Sequence, residues 1–377
     1  MFLRFCFCIF SLLFLAGCKS EVDSVSPSST GQDNQQANGV AANVKKEPVD
    51  PEEAVLAIES LNGKIRRDGA GAIIDVDLRG LDISDTDLAS LPELPRLRAV
   101  RLAGTAVTDD GMKTIGKVSS LEDLDLRDCG ISDDGLSHLT GLSRLKALRL
   151  SGKSGDCSVS DDGMIHVAKL PALKVLGVDF LWISEDGVQA ITALKNLQEL
   201  YMAETTIGND AVDLFAEFPQ LKKLRLARNQ IDAEGVAKLP QLKQLEELDL
   251  SECAQLLDDA MPPLGELKNL KKLNLWRLNI SDSGVEPLKG LTAMEWLNLD
   301  NTRLSDAGMP FLSDMNQLKF LHLGSTQITD QGLSALQGIK GLEDLKVTRT
   351  AVTKDGVDKL NEALPNTKIQ LEYIEGE

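Results

Sequence analysis

The sequence predicts an α/β solenoid, with a parallel β-sheet on its concave face and helices on its convex face. Three observations lead there. A 24-residue unit recurs in phase from Leu97 onward, each unit opens on the pattern LxxLxL, and each closes on a segment whose apolar residues keep a helical spacing. Leu318 to Gly341, LKFLHLGSTQITDQGLSALQGIKG, is the clearest copy. Its first seven positions alternate with the period of two of a strand, and Leu333, Leu336 and Ile339 are spaced by threes. One unit is therefore strand, turn and short helix, and no unit buries its apolar face without a neighbour.

The chain opens differently. Residues 1–17 carry one charge, Arg4, and an apolar run from Phe5 to Leu15. Such a run is too short for a hydrocarbon core about 30 Å thick, so a signal-peptide core is expected and not a membrane span. Its end, Leu15-Ala16-Gly17-Cys18, resembles the lipobox of bacterial lipoproteins. That resemblance implies lipid attachment at Cys18 and an envelope protein that meets the membrane only through its N-terminal acyl chains. Lys19 stands where an aspartate often retains such proteins at the inner membrane, which favours the outer membrane or the cell surface. The rest of residues 18–49 is rich in Ser, Asn, Gln and Ala, with few large apolar side chains, and reads as a disordered tether.

Asp50-Pro51-Glu52-Glu53 has the marks of a helix start: an aspartate to cap, a proline in the first turn, and acidic residues near the positive end of the dipole. Val55, Ile58 and Leu61 share a face, and Asn62-Gly63 should end the helix. Ile73 to Arg96 is a degenerate first repeat with Asp87 where later repeats place glycine, so residues 50–96 are expected to cap the core. Eleven repeats occupy 97–366, beginning at Leu97, Leu121, Leu145, Leu173, Leu197, Leu221, Leu245, Leu270, Met294, Leu318 and Leu342. The repeat from Leu145 has four extra residues around Lys153 to Asp156, and that from Leu245 has one. Residues 367–377 are expected to form a closing strand.

Within a unit, positions four and six point into the core. Position nine holds Thr105, Cys129, Thr205, Asn229, Cys253, Thr302, Thr326 or Thr350, small groups able to bond the backbone where the strand turns. Ser or Thr at position twelve with Asp at thirteen, as in Thr108-Asp109, Ser281-Asp282 and Thr329-Asp330, is expected to cap the helix of the same unit. Glycine at position fifteen is expected to let that helix lie close against the sheet.

This unit resembles the leucine-rich repeat family. The ITDxGL segment, Ile328 to Leu333, is most similar to the cysteine-containing and F-box-associated branch and to repeats of bacterial envelope proteins. The resemblance covers about Ile74 to Glu377 and implies a horseshoe that serves as a binding scaffold without chemistry of its own. No F-box stretch precedes the repeats, so a ubiquitin-ligase role does not carry over.

Composition narrows the function. A formal net charge of −18 argues against a phosphate-tracking surface, and nucleic acid is not an expected partner. Cys129 and Cys253 share a repeat position five repeats apart and cannot pair, so with Cys157 they do not read as a disulfide framework. His138 and His166 share a position on neighbouring helices and read as surface residues more than as metal ligands. Gly152-Lys153-Ser154 resembles the end of a phosphate loop, but Ala147 stands where its first glycine should be. Capping accounts for each position-thirteen aspartate, so their row does not read as a calcium site. The expectation is a protein that is not an enzyme and carries neither cofactor nor metal.

The concave face is where recognition is expected. Its outward positions are mostly of mixed charge, but three neighbouring strands depart from this with Lys272 and Trp276, then Trp296, Asn298 and Asp300, then Phe320 and His322. In a chain with 4% aromatic residues, that places two of three tryptophans on one surface. Aromatic clusters with charged rims have the composition of binding hot spots, and lateral packing between strands is the competing explanation. The sequence thus predicts a non-catalytic lipoprotein whose concave sheet binds another macromolecule, foremost a protein. A glycan, for which Trp276, Trp296 and Asn298 offer stacking and hydroxyl bonding, is the alternative ligand, and a structural or adhesive spacer is the alternative role.

Overall fold

The computed structural model describes residues 49–373. The signal segment, Cys18 and all but the last residue of the tether lie outside them. One sheet of fourteen strands runs in sequence order. It comprises β1 (Lys64–Arg67), β2 (Ile73–Asp77), β3 (Ala99–Arg101), β4 (Asp123–Asp125), β5 (Ala147–Ser151), β6 (Val175–Asp179), β7 (Glu199–Tyr201), β8 (Lys223–Arg225), β9 (Glu247–Asp249), β10 (Lys272–Asn274), β11 (Trp296–Asn298), β12 (Phe320–His322), β13 (Asp344–Lys346) and β14 (Lys368–Gln370). From β2 onward every pairing is parallel, and equivalent repeat positions face one another, as in Lys272↔Trp296↔Phe320↔Asp344. The expected α/β solenoid with a parallel sheet is what forms. One antiparallel strand, β1, is added at its edge against β2.

Beneath the sheet the position-four and position-six leucines, among them Leu273, Leu297 and Leu321, are fully buried in one continuous apolar column. Each such side chain contributes about 1.5–3 kcal/mol. The position-nine residues bond the backbone as expected. The Thr326 hydroxyl donates to Leu323 O at 2.6 Å, and Cys129 and Cys253 donate to carbonyls of the preceding repeat. Burial pushes the Cys253 thiol up to about 12 and the Cys157 thiol up to about 11, so both are held as inert thiols.

The first helix, α1 (Glu52–Ser60), buries Ala54 and Ile58. Asp50 does not cap it. Its Oδ2 instead accepts from Ile73 N at 2.6 Å, fastening the helix entry to β2. Asn62, at φ 58°, turns the chain out of the helix.

Ser and Thr residues of the convex edge cap the helix of their own unit as expected, the Ser281 hydroxyl accepting from Ser283 N and that of Thr329 from Gln331 N, and the aspartates add a bond across repeats that was not expected. Each aspartate reaches forward to the next repeat, its Oδ1 accepting from the backbone N–H at position twelve and its Oδ2 from that residue's hydroxyl. Asp258 holds Ser281 in this way (2.7 and 2.5 Å), Asp282 holds Ser305 (2.7 and 2.6 Å) and Asp306 holds Thr329 (2.7 and 2.6 Å). The carboxylate therefore satisfies an orphan donor near the start of its neighbour's helix.

The position-fifteen glycine has the matching role. A Cβ on Gly284 or Gly308 would stand 2.5 Å from the Oδ1 of Asp258 or Asp282, so the glycine makes room for the preceding repeat's aspartate and not for the sheet. Two repeats confirm the coupling by departing from it together. Ala211 follows Glu185, whose longer side chain holds Gly208 N, and Ala260 follows Ala233, which offers no carboxylate. Between Ala233 and Leu257 the ladder of rungs is broken.

Two further features were not anticipated. Position eight is left-handed in repeat after repeat, with Asp128, Glu204, Arg228, Glu252, Arg277, Asn301, Ser325 and Arg349 at φ between 51° and 59° and Phe180 at 61°. Several convex segments are 3-10 turns and not α-helix, including Leu239–Gln241, Pro262–Glu266 and Met309–Leu312, each of which contains proline near its start. A proline without an N–H fits the first turn but not a continued ladder.

Candidate binding surface

Charge pairing organises the concave face up to β10. Arg101 bridges Asp75 (2.5 Å) and Asp123 (3.5 Å), and Arg149 returns to Asp123 at 2.6 Å. Lys223 lies between Glu199 and Glu247 (3.2 and 3.5 Å), and Arg225 between Asp179 and Asp249 (2.9 and 3.4 Å). The Tyr201 hydroxyl donates to Glu199 at 2.7 Å, and burial pushes its own ionisation well up. Each exposed pair contributes only about 0–1 kcal/mol. Together they leave little unneutralised charge on this half.

The pattern ends at β11. Trp296 and Phe320 are cross-strand partners and stack almost parallel, with centroids 5.0 Å apart and planes at 5°. Phe320 also meets the edge of His322 at 6.4 Å. Such a pair is worth about 0.5–1.5 kcal/mol beyond its buried area, and both rings stay half exposed.

The structure divides five of the seven expected residues between two hollows. Lys272 and Trp296 line one of about 270 Å³ together with Tyr201, Lys223 and Glu247. Lys272 is not a free cation there, because Glu247 lies 3.2 Å from it. Trp276, Asp300 and His322 line a second hollow of about 240 Å³ with Lys346, Thr348, Arg349 and Tyr373. Asn298 belongs to neither; its Oδ1 accepts from Asp300 N at 2.9 Å and shapes the strand end. Phe320 joins the groups by touching both Trp296 and His322. The Trp276 ring lies beside Arg277, 5.4 Å from its guanidinium carbon.

The sequence reading passed over Arg349, Tyr373 and Trp182. Arg349 occupies position eight, outside the strand rows, and its guanidinium carbon lies 3.9 Å from the centroid of Tyr373, which follows the last repeat. Trp182 is 75% exposed at position ten, where other repeats carry small or polar residues, and that contrast was available as a signal.

The Leucine Rich repeat family model matches residues 119–139, 219–239 and 315–336. An internalin (inlF) of Listeria monocytogenes aligns with a TM-score of 0.59 at 18% identity, over 87% of this chain and 96% of its own. The fold is a leucine-rich repeat solenoid. Internalin C2 (inlC2) of the same organism aligns over 56% of this chain and 84% of its own, at 22% identity and a TM-score of 0.41. The plant peptide hormone receptor RGFR1, solved in complex with RGF2, aligns over 82% of this chain and 59% of its own, at 14% identity and 0.42. The last two add nothing to the assignment. No curated protein sequence matches the chain.

The matched family is a repeat family and not an enzyme family. Among the described residues of this leucine-rich repeat solenoid, no group of three or more His, Cys, Asp and Glu is placed to hold a metal. His138 is an exposed residue closing the helix Asp133–Ser137, and His166 has a buried Nδ1 without a hydrogen-bond partner. The segment that resembled a phosphate loop uses its N–H groups internally. Lys153 N donates to the Ser151 hydroxyl and Ser154 N to Asp128 Oδ1, both at 3.2 Å. Among the described residues no helix is long and apolar enough to cross a membrane.

Proposed function

We propose that this protein is a non-catalytic binding protein whose concave sheet engages another protein around β10 to β13, and that Cys18 carries the lipid that holds it to a bacterial envelope. The observation that carries the binding reading is the Trp296–Phe320 stack, two half-exposed rings in register on a face that satisfies itself with ion pairs as far as β10. Rigid aromatic anchors beside a charged rim bury large apolar area at little entropic cost when a partner docks. A leucine-rich repeat solenoid suits this role, since its strands present side chains at fixed spacing on one surface.

Crosslinking in the native envelope, comparing the wild type with Trp296→Ala, tests the reading. One protein should be enriched by the wild type and lost with the variant, while stability falls by no more than about 1 kcal/mol, the value of the ring stack. A stability loss of about 3–5 kcal/mol, typical of a buried aromatic, would make the pair a packing element instead. Mass spectrometry of the mature N-terminus tests the anchor: an unmodified Cys18 would remove the envelope part of the proposal.

A further inference from the structure

A glycine interrupts the concave rows on β12's outgoing side, and the space above it has polar walls. A Cβ on Gly324 would stand 2.8 Å from Asp300 Oδ1 and 2.9 Å from both His322 Nε2 and Thr348 Oγ1. Three side-chain polar atoms from three neighbouring repeats thus converge on the volume that the absent side chain leaves open. Among the described residues none of these three atoms makes a hydrogen bond or ion pair. Lys346 and Arg349 line the same hollow of about 240 Å³. No carboxylate among the described residues lies within ion-pair distance of either cation, and Arg349 rests on the Tyr373 ring.

The donor and acceptor inventory selects the ligand. A carboxylate accepts only, a neutral imidazole nitrogen and a hydroxyl are able to accept, and an ammonium offers three donors to such a trio. Burial, with Lys346 nearby, holds His322 below the usual imidazole range despite the opposing pull of Asp300 and Asp344, so its ring is neutral at pH 7. A lone ammonium would be opposed by Lys346 and Arg349, and a lone anion by Asp300. A ligand carrying both charges a few bonds apart meets each wall with the opposite sign.

We propose that the hollow over Gly324 binds a small zwitterion, its ammonium donating to Asp300, His322 and Thr348 and its anion held by Lys346 and Arg349. An α-amino acid and a phosphoethanolamine group are two sources of that chemistry. The site lies beside the Trp296–Phe320 stack but does not use its rings, so it stands or falls separately from the macromolecular partner.

Calorimetry on the full chain with glycine and with O-phosphoethanolamine, against propylamine and acetate, tests it. At least one zwitterion should bind about ten-fold or more tighter than either singly charged probe. Gly324→Ala, which fills the void, and Lys346→Gln, which removes one cation from the half-buried rim, should each weaken it by about ten-fold. Binding of glycine alone assigns an amino acid, and binding of phosphoethanolamine alone assigns a lipid-type headgroup. Absence of binding by both, equal binding of propylamine or acetate, or an unchanged affinity in Lys346→Gln would each overturn the proposal, and the last remains decisive should Gly324→Ala fail to fold.

Discussion

From β2 to β10 the concave face pairs its charges with one another, and from β11 to β13 it leaves Asp300, Asp344 and Lys346 without an ion-pair partner among the described residues. Asp75, Asp123, Glu199 and Glu247 each hold an intramolecular cation. Asp300 and Lys346 hold none among the described residues, and Asp344 Oδ1 is buried without a partner. A charged partner approaching the first half must displace an existing ion pair, whereas at the second half it meets unneutralised groups and half-exposed rings. Net charge alone misses this: at −18 the molecule repels anions as a whole, yet its last repeats offer cations.

The largest effects should be the same in both halves and so test whether the scaffold is common to them. Asp109→Ala and Asp282→Ala each strip two donors of the following repeat, on Ser132 or Ser305, of their acceptor. Each should cost about 1–3 kcal/mol in urea unfolding, and a gap of more than about 1 kcal/mol between them would mean the halves differ in build as well as in surface. Next, Asp75→Ala leaves Arg66 without its partner and Arg101 with Asp123 alone and should cost about 1 kcal/mol, while Asp300→Ala should stay within about 0.5 kcal/mol. Equal losses would erase the contrast.

Acid should act where carboxylates are held in ion pairs. Bonds to Arg79 hold Asp77 down at about 2, and bonds to Lys222 and Lys271 hold Glu246 at about 2. Both are depressed in the folded state, so the stability they add is present above about pH 4.5 and is lost as pH falls toward 2. Hydrogen exchange at pH 5 and pH 3 should show repeats around β2 and β9 losing protection between the two. The smallest effect is a proton count. His322 should titrate below 6.5 by NMR, lower still in Asp300→Asn and higher in Lys346→Gln, since the first removes an anion and the second a cation. A normal titration unmoved by either would show that the hollow is more open to water than its geometry implies.

The column of leucines, the strand order and the register were legible because periods of 24 and two are carried by residue type alone. The convex ladder was not. The Ser281 cap was legible, but in a perfect repeat Asp282 next to Ser281 and Asp258 one unit before it are indistinguishable by pattern, so the added bond across repeats was not. The left-handed turns were hidden because their occupants, such as Phe180 and Arg228, vary and are not glycine. At the candidate site, Trp296 and Phe320 stood out through period two, and register fixed their stacking. Gly324 did not, since a missing side chain shows its meaning only once its neighbours' atoms are placed around it.

The absent rung between Ala233 and Leu257 sets a mechanical property of the whole array. On either side, successive repeats are riveted along the convex edge, from Asp85 to Asp232 and again from Asp258 to Thr353. At that junction no carboxylate bond of this kind is made among the described residues, and Leu257 is 45% exposed. The molecule is therefore two stiff springs joined by a softer coil. Under tension from its ends it should lengthen there before anywhere else, yielding in two steps and leaving the aromatic half to move as one piece.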